Sequence, residues 1–143
     1  MAIDTDSLTE VSQLAQACED VARATLTVAQ DQLRAKLIAQ DVFDQVFQDY
    51  TAAMHKARDM YYQASHGLVQ QLLHSADLKT LSAQTVELKK ALASLQKAEH
   101  VLAISLGVVT LVGLVGAAVL TPTSDTLKAA LGAGMSLKIT ILG

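Results

Sequence analysis

Four histidines and one cysteine are the side chains here best suited to bind a metal ion or attack a carbonyl, and their spacing supports neither task. His55, His66, His74 and His100 do not recur at the separations that place ligands on one helical face; His66 and His74 are eight apart and out of line. Solvated or hydrogen-bonded helix histidines are the expectation. Cys18 is the only cysteine, so neither an internal disulfide nor a cysteine zinc site can form, and its place on an apolar stripe makes it a core residue. Glu19, Asp20, Asp41, Asp44, Asp49, Lys89 and Lys90 read as solvated helix faces. No Ser/His/Asp or Cys/His nucleophile system occurs, and no glycine-rich phosphate loop follows a strand. The expectation is a protein without catalytic residues, metal or cofactor: not an enzyme.

What the sequence offers instead is a solvent problem. Residues 101–120 read VLAISLGVVTLVGLVGAAVL, without a charge. Twenty helical residues at ~1.5 Å each match the ~30 Å hydrocarbon core of a bilayer. The run is apolar on every face rather than along a stripe. Its polar members, Ser105 and Thr110, can both bond back to helix carbonyls. The residues expected in lipid are Val101, Leu102, Ile104, Leu106, Val108, Val109, Leu111, Val112, Leu114, Val115, Val119 and Leu120. Ala103 and Gly107, and Gly113 and Ala117 with Gly116 beside them, have the small-residue spacing of close helix packing.

Charge and glycine divide the 143 residues in two. Residues 1–100 hold nine Lys/Arg and thirteen Asp/Glu, a net of −4; residues 101–143 hold Asp125, Lys128 and Lys138, a net of +1. Six of the seven glycines lie in the second part. A net charge of −3 without a basic run argues against nucleic acid as a partner. The opening MAIDTDSLTE is acidic and polar, unlike a secretory signal, so the expected location is a membrane reached from a soluble form, in the cytoplasm or after non-classical secretion.

The elements that carry the run are helices. Ser7 and Glu10 fit a capping box. Apolar or small residues then recur by threes and fours through Leu8, Val11, Leu14, Cys18, Val21, Thr25 and Val28, and onward from Leu33 to Leu72, predicting one or two helices to His74. A break is expected near residues 74–77, then an unbroken helix from Leu78 to Leu120, ended by Pro122. Folded back about residue 76, the apolar residues of 33–52 would cover residues 101–120. The Phe43, Phe47, Tyr50, Tyr61, Tyr62 series fits bundle packing better than an interfacial belt. Thr121, Pro122 and Asp125 mark a hairpin turn, and residues 126–142 a third helix, although the alternation of 137–142 also fits a short β-tongue.

The fold class expected is therefore all-α: an elongated antiparallel helical hairpin or bundle. Residues 1–100 form its amphipathic hairpin or coiled coil and residues 101–143 a membrane-inserting hydrophobic hairpin. A long helical hairpin with an uncharged run and a short apolar return resembles the bacterial α-helical pore-forming toxins in architecture. That resemblance implies a hairpin held against a soluble bundle and released to build an oligomeric pore, as a homo-oligomer alone or with a second protein component. Lys128 and Lys138 would then meet an interface or a water-filled lumen. The alternatives are a membrane-anchored coiled-coil scaffold and a soluble structural coiled coil. Val112→Asp is expected to block insertion while sparing the soluble fold.

Overall fold

The computed structural model describes residues 5–68, 71–95 and 100–143. Five helices follow in order: α1 (Thr5–Arg34), α2 (Gln40–Ser65), α3 (Ser75–Ala93), α4 (Val101–Leu120) and α5 (Ser124–Leu142). They pack into the all-α bundle that the composition predicts, with no strand among the described residues. Residues 137–142 are helical, not a β-tongue. The helical period buries Leu137 and Ile141, four apart, and turns Ile139 outward at 70% exposure; a strand would have put all three on one face.

The first long stripe forms two helices. α1 already includes Thr5 and Asp6, and the Glu10 carboxylate, assigned above to a capping box, accepts from Ser75 Oγ at 2.8 Å and pairs with Lys79 of α3 at 3.5 Å. The helix ends in a Schellman motif: Leu37 N–H donates to Gln32 O at 2.8 Å and Lys36 N–H to Leu33 O at 3.0 Å, with Lys36 left-handed at φ 62°. α2 ends the same way around Gly67 at φ 65°, where Leu68 N–H reaches Gln63 O.

The expected continuous helix from Leu78 to Leu120 is also divided. α3 closes at Ala93, where Ser94 and Leu95 N–H donate three residues back, and α4 starts at Val101; residues 96–99 lie outside the described residues. The chain reverses between the two helices. Lys89–Asp20 and Lys79–Glu10 contacts run α3 parallel to α1, while Arg58–Glu19 with the Ala29–Val46 cluster sets α2 antiparallel to α1, and Ser105–Asp49 with Gly113 against Lys56 sets α4 parallel to α2. Burial explains the reversal: a straight helix would leave α4 in solvent, whereas turning back lets it dock on α1 and α2.

Viewed down its axis the bundle is a ring, α1–α2–α4–α5–α3, with α1 and α4 also touching across the middle. Leu14, Met60, Leu81, Leu111 and Leu137, one from each helix, belong to one buried cluster. A smaller cluster joins Ala29, Val46 and Val101. The cover over residues 101–120 is thus α2, laid parallel, and not residues 33–52 folded back antiparallel. Of that expected cover Val46 is buried, but Leu37 and Phe47 are exposed.

Candidate functional site

α4 and α5 form a tight hairpin. Thr121 precedes Pro122 and leaves helical geometry at φ −132°, ψ 69°. Thr123 then caps α5 through a reciprocal box with Thr126, accepting from its N–H at 3.0 Å. The turn is residues 121–123; Asp125 sits in the first turn of α5, where a carboxylate favours the positive end of the helix dipole.

Of the residues expected in lipid, Val101, Ile104, Val108, Leu111, Val112, Val115 and Val119 are buried in the bundle. Val109, Leu114 and Leu120 are half-buried, and Leu102 and Leu106 are exposed. With Ser105 and Ala118, nine of the twenty α4 residues are buried. Seven more are half-buried and four, Leu102, Ala103, Leu106 and Thr110, are exposed, so α4 is an all-apolar helix with one strip left uncovered. Burial of Val112, at 1% exposure, overturns the expectation that Val112→Asp spares the soluble fold: a carboxylate there would have no water and no partner.

The small residues divide by neighbour. A methyl added at Gly107 would lie 2.9 Å from Leu137 Cδ1, so this glycine seats α5 against α4. One at Gly113 would lie 3.1 Å from Lys56 Nζ of α2, whose stem crosses α4 there. Gly113, Gly116 and Ala117, with Lys56, Asp59 and Gln63 opposite, line a groove of about 780 Å³ toward the hairpin turn. Ala103 is exposed. The exposed residues of α4, Leu102, Ala103, Leu106 and Thr110, all lie in the half away from the turn.

Three polar contacts tie the hairpin to the rest of the bundle. Ser105, 2% exposed, donates to Asp49 Oδ2 of α2 at 2.7 Å instead of bonding back to its own helix. Thr110 does bond back, to Leu106 O at 3.0 Å. Gln84 of α3 donates to Leu131 O of α5 at 3.0 Å, with its carboxamide pressed onto Gly134. Leu73 N–H donates to Val119 O at 3.3 Å. Asp49, Gln84 and Lys56 were invisible as site residues because each resembles any other polar residue on an amphipathic face. Ser105 and Thr110 looked alike in the sequence, two hydroxyls in an apolar run, and only burial separates them.

Lys128 and Lys138 are exposed on α5, and neither has an ion pair among the described residues. The aromatic series is less buried than bundle packing requires: Phe43, Phe47 and Tyr50 form a ladder with centroids 6.5 and 6.0 Å apart, while Phe47, Tyr61 and Tyr62 are exposed. His66 stacks on Tyr62 at 4.0 Å. Burial and the adjacent Glu19 charge push the Cys18 thiol up to about 12. No family model, curated protein or solved structure matches this chain.

Proposed function

We propose that this chain is a membrane-inserting helical protein whose α4–α5 hairpin leaves the bundle and self-assembles into an oligomeric pore. One observation carries the reading: α4 is apolar on all faces yet leaves one strip, Leu102, Ala103, Leu106 and Thr110, in solvent. Water-facing positions of a soluble bundle have no need of Leu102 and Leu106, whereas a helix that exchanges protein neighbours for lipid does. The antiparallel α5 supplies the second wall, with Thr126, Lys128, Ser136, Lys138 and Thr140 available to water. A single hairpin encloses no lumen, so the activity requires a ring of copies.

A second reading is favoured by the nine buried α4 residues: α4 as the core helix of a permanently soluble bundle. Protein purified without detergent and mixed with dye-loaded vesicles separates the two. Dye release, with conversion to a form that needs detergent for extraction, is the expected result. A folded preparation that releases no dye and stays in the aqueous phase would refute insertion.

A further inference from the structure

Five of the eleven exposed large apolar side chains among the described residues lie at the end of the hairpin opposite its turn. Leu106 is 63% exposed and Leu102 41%, one turn apart on α4. On α5 Met135, Ile139 and Leu142 are 63%, 70% and 66% exposed, at i, i+4 and i+7 of one face. The close approach of Gly107 to Leu137 fixes the register, so that Leu106 is level with Lys138, and Leu102 with Leu142. Both strips therefore lie at one end of one antiparallel pair. Lys138 falls within the α5 strip and Lys128 lies seven residues before Met135 on the same face.

Charge identifies the occupant. Asp125 is the only Asp or Glu in residues 101–143, whereas residues 1–100 carry a net −4. An acidic protein thus exposes, on this hairpin, two apolar strips whose side-chain charges, apart from Asp125 near the turn, are two lysines on long apolar stems without an ion pair among the described residues. That is the chemistry of an anionic lipid surface: leucine and isoleucine enter the acyl boundary, lysines snorkel to the headgroups, and the acidic body is turned away. We infer that the outward faces of α4 and α5, through Leu102, Leu106, Met135, Ile139, Leu142 and the two lysines, dock the folded bundle side-on to an anionic bilayer before the hairpin inserts. This rests on the membrane reading of the hairpin and adds to it a lipid class, an orientation and a first step.

The test is co-sedimentation of the full chain with vesicles of phosphatidylcholine alone or equimolar with phosphatidylglycerol, with dye release read in the same tubes. Parent protein should prefer the anionic vesicles. Replacing both lysines (Lys128→Gln with Lys138→Gln) should weaken that binding by about 30-fold and leave the weak binding to neutral vesicles unchanged. Leu106→Glu with Ile139→Glu, at exposed positions that leave the circular dichroism of the fold intact, should weaken binding to both by at least about 100-fold. Anionic binding by either double variant equal to the parent's overturns the inference. So does a parent that ignores vesicles and forms a dimer which the Glu variant dissolves, since the strip would then belong to a second copy. Binding without dye release leaves the docking face standing and refutes the pore; dye release with unaltered binding by the variants does the reverse.

Discussion

Thr110 is the position at which insertion can be tested without disturbing the soluble bundle. It lies at the middle of α4, its side chain is exposed, and its hydroxyl bonds only to Leu106 O within the same helix. Thr110→Asp therefore removes no contact between helices. Asp and Thr have similar helix propensities, so the folded bundle should change by no more than about 0.5 kcal/mol, a melting shift of about 1–2 °C. In the bilayer the same carboxylate stands at the midplane, where it costs about 3 kcal/mol, roughly 150-fold in the insertion equilibrium of each subunit. The control is Val112→Asp, two residues away but 1% exposed. There the carboxylate is buried without a partner, and the cost of several kcal/mol falls on a total stability on the order of 5–15 kcal/mol. Circular dichroism melts and dye release on both variants make the assay. Thr110→Asp should melt like the parent and release dye at least about tenfold more slowly; Val112→Asp should fail to fold. A Thr110→Asp variant that melts and releases dye as the parent does would remove the bilayer span from the mechanism.

Three further outcomes follow from other contacts. Asp49→Ala leaves the buried Ser105 hydroxyl without its charged acceptor, worth about 1.5–3 kcal/mol, so it should lower the melting temperature and speed dye release; slower release would show that the contact does not restrain the hairpin. Gly132→Ala, where an added methyl meets nothing within 4 Å, should stabilise the bundle by about 0.5–1 kcal/mol, whereas Gly107→Ala should destabilise it because the methyl meets Leu137 in the core. Thermal melts decide both signs. Cys18 is held neutral in the fold, its ionisation raised to about 12 from 9.0. Its contribution is therefore complete below pH 9 and declines by about 1.4 kcal/mol per pH unit above it, as the unfolded thiol ionises first. Alkaline denaturation of the parent should be steeper than that of Cys18→Ala.

The sequence could be read where the local code and the tertiary structure agree. Pro122 ended α4 and the threonines beside it began α5, because a missing N–H and a side-chain cap act within a few residues. The helix expected to run to His74 stops at Ser65 with a left-handed turn at Gly67, a residue type that permits it; the turn at Lys36 had no such mark, since lysine gives no sign of a positive φ. The reversal between α3 and α4 was also hidden. No proline or glycine stands between Leu78 and Gly107, and what turns the chain is the burial available to α4 on α1 and α2. The all-apolar character of α4 was plain, but which face stays uncovered depends on where α2 lies. Direction could not be read at all: an antiparallel return about residue 76 and the parallel α2–α4 pair both bring apolar residues to α4 and Ser105 near Asp49, and what distinguishes them is Lys56 lying at Gly113.

The parallel pairing of α2 with α4 also bears on the order in which a ribosome delivers the chain. Ser105 and Asp49 are 56 residues apart, and Ser75 and Glu10 are 65, so these docking contacts close only after long stretches of chain exist. The α1–α2 and α4–α5 hairpins need no such wait. Because synthesis runs from the N-terminus, α1 and α2 are made before the uncharged twenty residues emerge. The most aggregation-prone segment is thus born last but one, into the presence of its own docking surface. A permuted chain that begins at α4, with a linker spanning from the end of α5 to the start of α1, would keep the helix pairings but lose that protection, exposing bare apolar helix to its neighbours during translation.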